Sequence, residues 1–213
     1  MSIKLKFLIM RTLKLFYLGM LSMTLIFTVG CSKEETGMEE VNAVNAHIEP
    51  NELANNGSKA KMYTVEFGSL NESGVSGTAE LSLTGSTLTV NISASGLEAN
   101  QVHPQHIHGF SSNKGNSTCP PASADQDGDG YVSIPEGAPF YGGVLLTLGP
   151  IPTADANGNI NFTMTYEYED GIDSDITPLQ NRAIVLHGMT VDGEYWAGLP
   201  VACGQIMPSQ GSK

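Results

Sequence analysis

Positive charge is scarce in this chain. Its 213 residues hold 10 lysines and arginines against 22 aspartates and glutamates. Four of the ten, Lys4, Lys6, Arg11 and Lys14, fall within Met1–Gly30, so residues 31–213 carry a net charge near −16. A chain this acidic does not hold nucleic acid through phosphate contacts. Its mean field also repels small anions. Long helical periodicity is missing. So are a nucleophile elbow, a Ser- or Cys-based relay and a Gly-rich phosphate loop, which leaves hydrolase and nucleotide-binding readings without support. Cysteine is sparse as well, with three in all: Cys31, Cys119 and Cys203.

The basic residues at the start precede an apolar run, Leu15–Val29, that stops at Cys31. A basic region, an apolar region and a small residue before a cleavage point form the pattern of a secretory signal. Thr28-Val29-Gly30-Cys31 looks like a bacterial lipobox, with Thr28 in place of the more usual Leu. The expectation is a signal peptide over 1–30 and an acylated Cys31 that anchors the chain to the membrane. A plain transmembrane anchor is the alternative, but the run is short and broken by Gly19 and Ser22. Glu34 and Glu35 just after the cysteine resemble a surface-export signal. The location expected is the bacterial cell envelope: an outer-membrane lipoprotein, periplasmic or surface-exposed, whose partner is the membrane itself. Residues 31–60 are polar, acidic and aperiodic, and read as a flexible tether. His47 lies there and is expected to be exposed.

With Cys31 given to lipid, Cys119 and Cys203 are an even pair in an oxidising compartment, and a disulfide is expected. It would close a loop of roughly 84 residues and contribute about 4 kcal/mol on the chain-entropy account. The alternative is a pair of free thiols serving as metal ligands.

Residues 61–208 read as one β domain. Period-two alternation marks strands at Met62–Phe67, Gly74–Leu83, Leu88–Ala94, Gln105–Phe110, Val144–Leu148, Ile160–Tyr168, Arg182–His187 and Leu199–Ile206. Gly85-Ser86 reads as a tight hairpin turn. Met189–Gly198, which holds the only tryptophan, Trp196, reads as a loop. About eight strands with polar connections predict an all-β fold, a closed barrel or Greek-key sandwich.

Metal chemistry concentrates between His103 and Glu136. His106 and His108 are spaced i, i+2 on a strand, so both imidazoles share one face and Ile107 takes the other. Paired imidazoles on a stiff strand suit copper or zinc. The alternative is a strand with two exposed histidines, with the later His187 a satisfied core residue. Further on, Asp125, Asp127, Asp129, Gly130, Ser133 and Glu136 fall at positions 1, 3, 5, 6, 9 and 12 of a calcium loop, and Tyr131 offers its carbonyl at position 7. Clustered carboxylates repel one another without a cation. An ordinary solvated acidic loop is the alternative. Pro120, Pro121, Pro135 and Pro139 argue against flanking helices, so the expectation is a stand-alone calcium loop.

The order of these motifs resembles the copper-zinc superoxide dismutase family. Gly96-Leu97 precedes the His106-Ile107-His108 strand, and Cys119 follows it. Leu146–Gly149 leads into the turn and strand of PIPTADANGNINFTMTY. Arg182–His187 matches an Arg-to-His strand, and Val201-Ala202-Cys203-Gly204-Gln205-Ile206 matches the family's ending. The resemblance covers about residues 61–206. It implies an eight-stranded Greek-key barrel, a Cys119–Cys203 disulfide and a copper site from His106, His108 and His187. His103, three residues before the pair, is a candidate fourth imidazole. The chain departs from the family in two places. No histidine lies between His108 and His187, so no zinc site is expected, and Pro200 stands where the family has its anion-guiding arginine. The chain is also similar to bacterial chordin-type (CHRD) domains, which carry an HIH strand and a later histidine strand. Two functions are therefore expected: a copper-binding, dismutase-like lipoprotein with a structural calcium loop, or a non-catalytic, calcium-stabilised surface binding module.

Overall fold

The computed structural model describes residues 59–169 and 172–209. The signal segment, Cys31, His47 and all but the end of the tether lie outside the described residues. Among the described residues no helix is long and apolar enough to cross a membrane.

Among the described residues nine strands form in chain order: β1 (Lys61–Ser69), β2 (Ser76–Thr84), β3 (Thr87–Ser95), β4 (Gln105–Gly109), β5 (Gly143–Thr147), β6 (Ile160–Glu167), β7 (Ala183–Val191), β8 (Glu194–Gln205) and the two-residue β9 (Met207–Pro208). One short helix, α1 (Ile134–Tyr141), sits between β4 and β5. The alternation read from the sequence is what builds β1 to β3. Tyr63, Val65 and Phe67, then Ala79, Leu81 and Leu83, then Leu88, Val90 and Ile92 are buried, and the residues between them face outward.

The pairings are antiparallel and run β5-β4-β7-β8-β1-β2-β3-β6, with β9 beside β1. The two end strands, β5 and β6, are not paired with each other. The all-β expectation therefore holds, as a curled sheet with two free edges rather than a closed ring.

Two sequence expectations are corrected. Met189–Gly198 is a hairpin, not a loop: β7 continues to Val191 and β8 begins at Glu194. Asp192 and Gly193 make the turn with φ of 51° and 84°, the paired positive φ that suits a two-residue hairpin. The acidic loop is also not free of helix, because α1 leaves directly from it. Pro135 lies in the first turn, where a missing N–H costs no internal bond. Ser133 and Glu136 close a capping box over that turn. Pro139 then forfeits only one bond in a helix two turns long.

The main core lies on one face of the sheet, around Leu81, Leu88, Ile107, Ile184 and Leu186. A smaller cluster of Tyr141, Ala183, Val185 and Cys203, with Leu70, Cys119 and Ala138 against it, lies on the other. Strand geometry explains the division. Ala183 and Val185 alternate with Ile184 and Leu186, so they must point the opposite way. Cys119 and Cys203 are joined, a disulfide spanning 84 residues, and this pins the segment after β4 onto β8. Arg182, just before β7, is fully buried. Its guanidinium donates to the carbonyls of Asp175, Thr177 and Asn181 and to the Asn113 side chain.

Candidate metal centre

His106 and His108 pair across to Val185 and Ala183 of β7, and paired residues share a face. His187 follows Val185 by two residues, so it joins them. The three histidines are thus placed on the face of the small cluster, opposite the main core. Register shifts before and after His187, with Gly188 at φ 110°, bend β7 at this point. Gly188 has no room for a side chain, since a Cβ there would strike the Tyr195 hydroxyl.

The ring centroids lie 5.2 Å apart for His106 and His187, 5.6 Å for His106 and His108, and 5.8 Å for His108 and His187. One nitrogen from each ring lies within 4.8 Å of the others. His108 and His187 are each 3% exposed, and His106 is half-buried.

Hydrogen bonds fix which nitrogen is offered. His108 Nδ1 lies 3.1 Å from the Gly142 carbonyl, and His187 Nδ1 lies 2.8 Å from the Gly198 carbonyl. A carbonyl can only accept, so each Nδ1 carries the proton. Nε2 of both rings is then a bare lone pair, buried and without a partner. His106 Nδ1 is likewise buried and unpartnered. Three buried, unpartnered ring nitrogens on histidines within ligating reach of one another form the arrangement a metal ion satisfies, with the carbonyls on His108 and His187 as the outer support.

Burial also keeps the rings neutral. It pushes the His106 imidazole below its usual value. It takes His108 down to about 4, against the opposing bond to Gly142 and with help from the neighbouring His106. It takes His187 down to about 3, against the bond to Gly198 and with help from His106 and His108. A neutral imidazole is the form that ligates metal.

His103 is not brought into this group. It is fully buried, and its two ring nitrogens each lie 3.0 Å from a backbone carbonyl, of His187 and of Glu98. It braces the bend at His187 instead of offering a fourth nitrogen.

The carboxylate loop is partly assembled. Oxygens of Asp125, Asp127 and Glu136 lie within 4.8 Å of one another. Asp125 accepts from the N–H groups of Gly128 and Gly130, and Asp127 from that of Asp129. Asp129 turns to the N–H of Tyr131 and is not part of the cluster. The Ser133 hydroxyl donates to Glu136, as a helix cap. Bonds from the N–H of Gln126 and from both the N–H and hydroxyl of Ser133 hold the Glu136 carboxyl down at about 2.

Four residues around the histidines were not singled out from the sequence. Tyr141 is fully buried with its ring 4.7 Å from that of His108, and burial raises its hydroxyl to about 12. Gly142 and Gly198 supply the two orienting carbonyls. Asn71, in a left-handed turn at φ 54°, ties the acidic loop to β8 by bonding Val132 on both its N–H and carbonyl and the Pro200 carbonyl. A left-handed Asn after a strand is a turn signal that sequence reasoning could use. A backbone carbonyl leaves no trace in residue type.

No family model matches the chain, and no curated protein matches it. The functional reading therefore stands on the geometry: a buried triad of His106, His108 and His187 able to hold a metal ion.

Proposed function

We propose that this chain is a membrane-anchored, dismutase-like metal-binding lipoprotein whose histidine triad takes copper. The observation that carries this is the set of three buried, unpartnered imidazole nitrogens within reach of one another, with the His108 and His187 rings held by the Gly142 and Gly198 carbonyls. A donor set of neutral imidazoles suits copper, with zinc as its competitor. The domain belongs to the Greek-key type of copper-zinc superoxide dismutase in this reading, with strand β4, strand β7 and the Cys119–Cys203 bridge at the matching places. Bound copper would supply one-electron chemistry, and the activity proposed is weak superoxide dismutation or copper handling. No arginine guides an anion inward, because Pro200 occupies that place, so a high dismutation rate is not part of the proposal. Calcium would sit at Asp125, Asp127 and Glu136, with the Tyr131 carbonyl, Asp129 and Ser133 closing in on it, and steady the segment that leads through α1 to Gly142.

A second reading is a non-catalytic, calcium-stabilised CHRD-type surface module. The acidity of the chain and the missing cationic guide favour it. Copper uptake and a superoxide assay, both measured on the full chain and on its His106→Ala variant, separate the two. Copper-dependent dismutation that disappears in the variant supports the first. A chain that takes up no histidine-dependent copper, and whose dismutation does not exceed that of a copper-free control, supports the second.

A further inference from the structure

We propose that the triad is a reduced-copper site, binding Cu(I) more tightly than Cu(II). This rests on the copper reading above and deepens it. Two independent features point the same way: the number of donors and their charge.

Three donors converge, and the described residues offer no fourth. His103 has both nitrogens against backbone carbonyls. The Tyr141 hydroxyl points back along α1 toward the Ile134 carbonyl. Cys119 and Cys203 are spent in the disulfide. No carboxylate joins the cluster. Cu(I) has a filled d shell and no ligand-field preference, so a three-nitrogen set satisfies it. Cu(II) prefers a tetragonal set of four or more donors. It would have to complete its shell with water or another small ligand.

The charge of the site adds to this. All three ligands are neutral imidazoles, so the full charge of the ion remains on the centre. The cost of burying charge rises steeply with its size. Among the described residues, no charged side chain offsets this cost next to the ligands: Tyr141 lies against His108, Ala183 and Val185 lie beside the pair on β7, and the Gly142 and Gly198 carbonyls meet the Nδ1 atoms. One electron from a reductant such as ascorbate converts the bound Cu(II) to Cu(I). The ligands are already neutral, so no proton need move with it. Reduced copper is then the resting state, and the site suits a protein that holds or passes on Cu(I).

The test is a pair of competition titrations on the full chain: Cu(I) against bicinchoninate without oxygen, and Cu(II) against a Cu(II) chelator. The same titrations are run on His108→Ala and, in case that variant folds poorly, on the half-buried His106→Ala. The expected result is Cu(I) bound at least about tenfold more tightly than Cu(II), equivalent to a one-electron potential about 59 mV above that of the aqueous couple. X-ray absorption of the Cu(I) form is expected to show three nitrogen neighbours. Histidine-dependent binding of both ions with Cu(II) equal or tighter overturns the preference and leaves the copper site standing. Binding of neither ion, or binding unchanged in both variants, overturns the site and the preference together.

Discussion

His108 meets the carbonyl of Gly142 through Nδ1 at 3.1 Å, and this one bond decides how the ring is used. It places the proton on Nδ1 and leaves Nε2 bare, facing His106 and His187. Gly142 can do this because it stands at φ 82°, packed against the backbone of Gly109 with no space for a Cβ. A residue with a side chain would have to leave that conformation and take its carbonyl along. Gly142→Ala is expected to destabilise the fold by about 1–3 kcal/mol, the usual cost of such a conformation. It should also weaken copper binding, within the 10–100-fold range of outer-support changes. Urea unfolding and a copper titration read the two effects. An unchanged affinity would show that the carbonyl does not orient the ring.

The disulfide is expected to contribute about 4 kcal/mol, because it closes an 84-residue loop. Cys119→Ser together with Cys203→Ser should lower the denaturant midpoint accordingly. Adding a reductant to the parent chain should bring its unfolding curve toward that of the double variant. A reductant-insensitive midpoint would contradict this.

Stability of the metal-free chain should fall on acidification. His108 and His187 start from an unfolded value of 6.5 and are held near 4 and 3 in the folded state. Between those limits the unfolded chain binds more protons than the folded one, so stability rises with pH across the window. The contribution is fully present above pH 6.5 and is lost as pH falls through the folded values. Urea midpoints measured from pH 6.5 down to about 4 check this. Replacing both histidines with Gln should flatten the slope, and an equal slope in that variant would assign it to other groups.

Glu136 serves two elements at once, as the acceptor that gathers Gln126, Asp127 and Ser133 and as the third residue of α1. Glu136→Gln is expected to lower the Tm of the calcium-free chain and to abolish any further rise on adding calcium. Thermal unfolding with and without calcium checks both. A calcium-dependent rise of parent size in the variant would remove Glu136 from the site.

Much of this was legible in the residues. Alternation in Tyr63–Phe67, Ala79–Leu83 and Leu88–Ile92 gives strands directly, since a half-buried strand writes its face into the sequence with period two. His106 and His108 share a face for the same reason. The hairpin at Asp192-Gly193 was missed although its turn dipeptide is there, because Trp196 and the glycines around it blur the alternation. Helix α1 is hard to read from the sequence because Pro135 and Pro139 look like breakers, while Ser133 and Glu136, which cap it, also fit a calcium loop. His103 looked like a fourth imidazole from spacing alone. Its true environment, two backbone carbonyls from distant segments, is a tertiary fact. The carbonyls of Gly142 and Gly198 are illegible in principle, since every residue carries one.

His106, His108 and His187 are placed to act as one metal centre. Metal content of the full chain, purified without chelator and then loaded with copper, tests it most directly when set beside the His108→Ala chain treated alike. Stoichiometric copper is expected in the first and its loss in the second, with the fold retained by circular dichroism. Copper absent from both, or equal in both, would contradict it and leave the triad as a buried structural cluster.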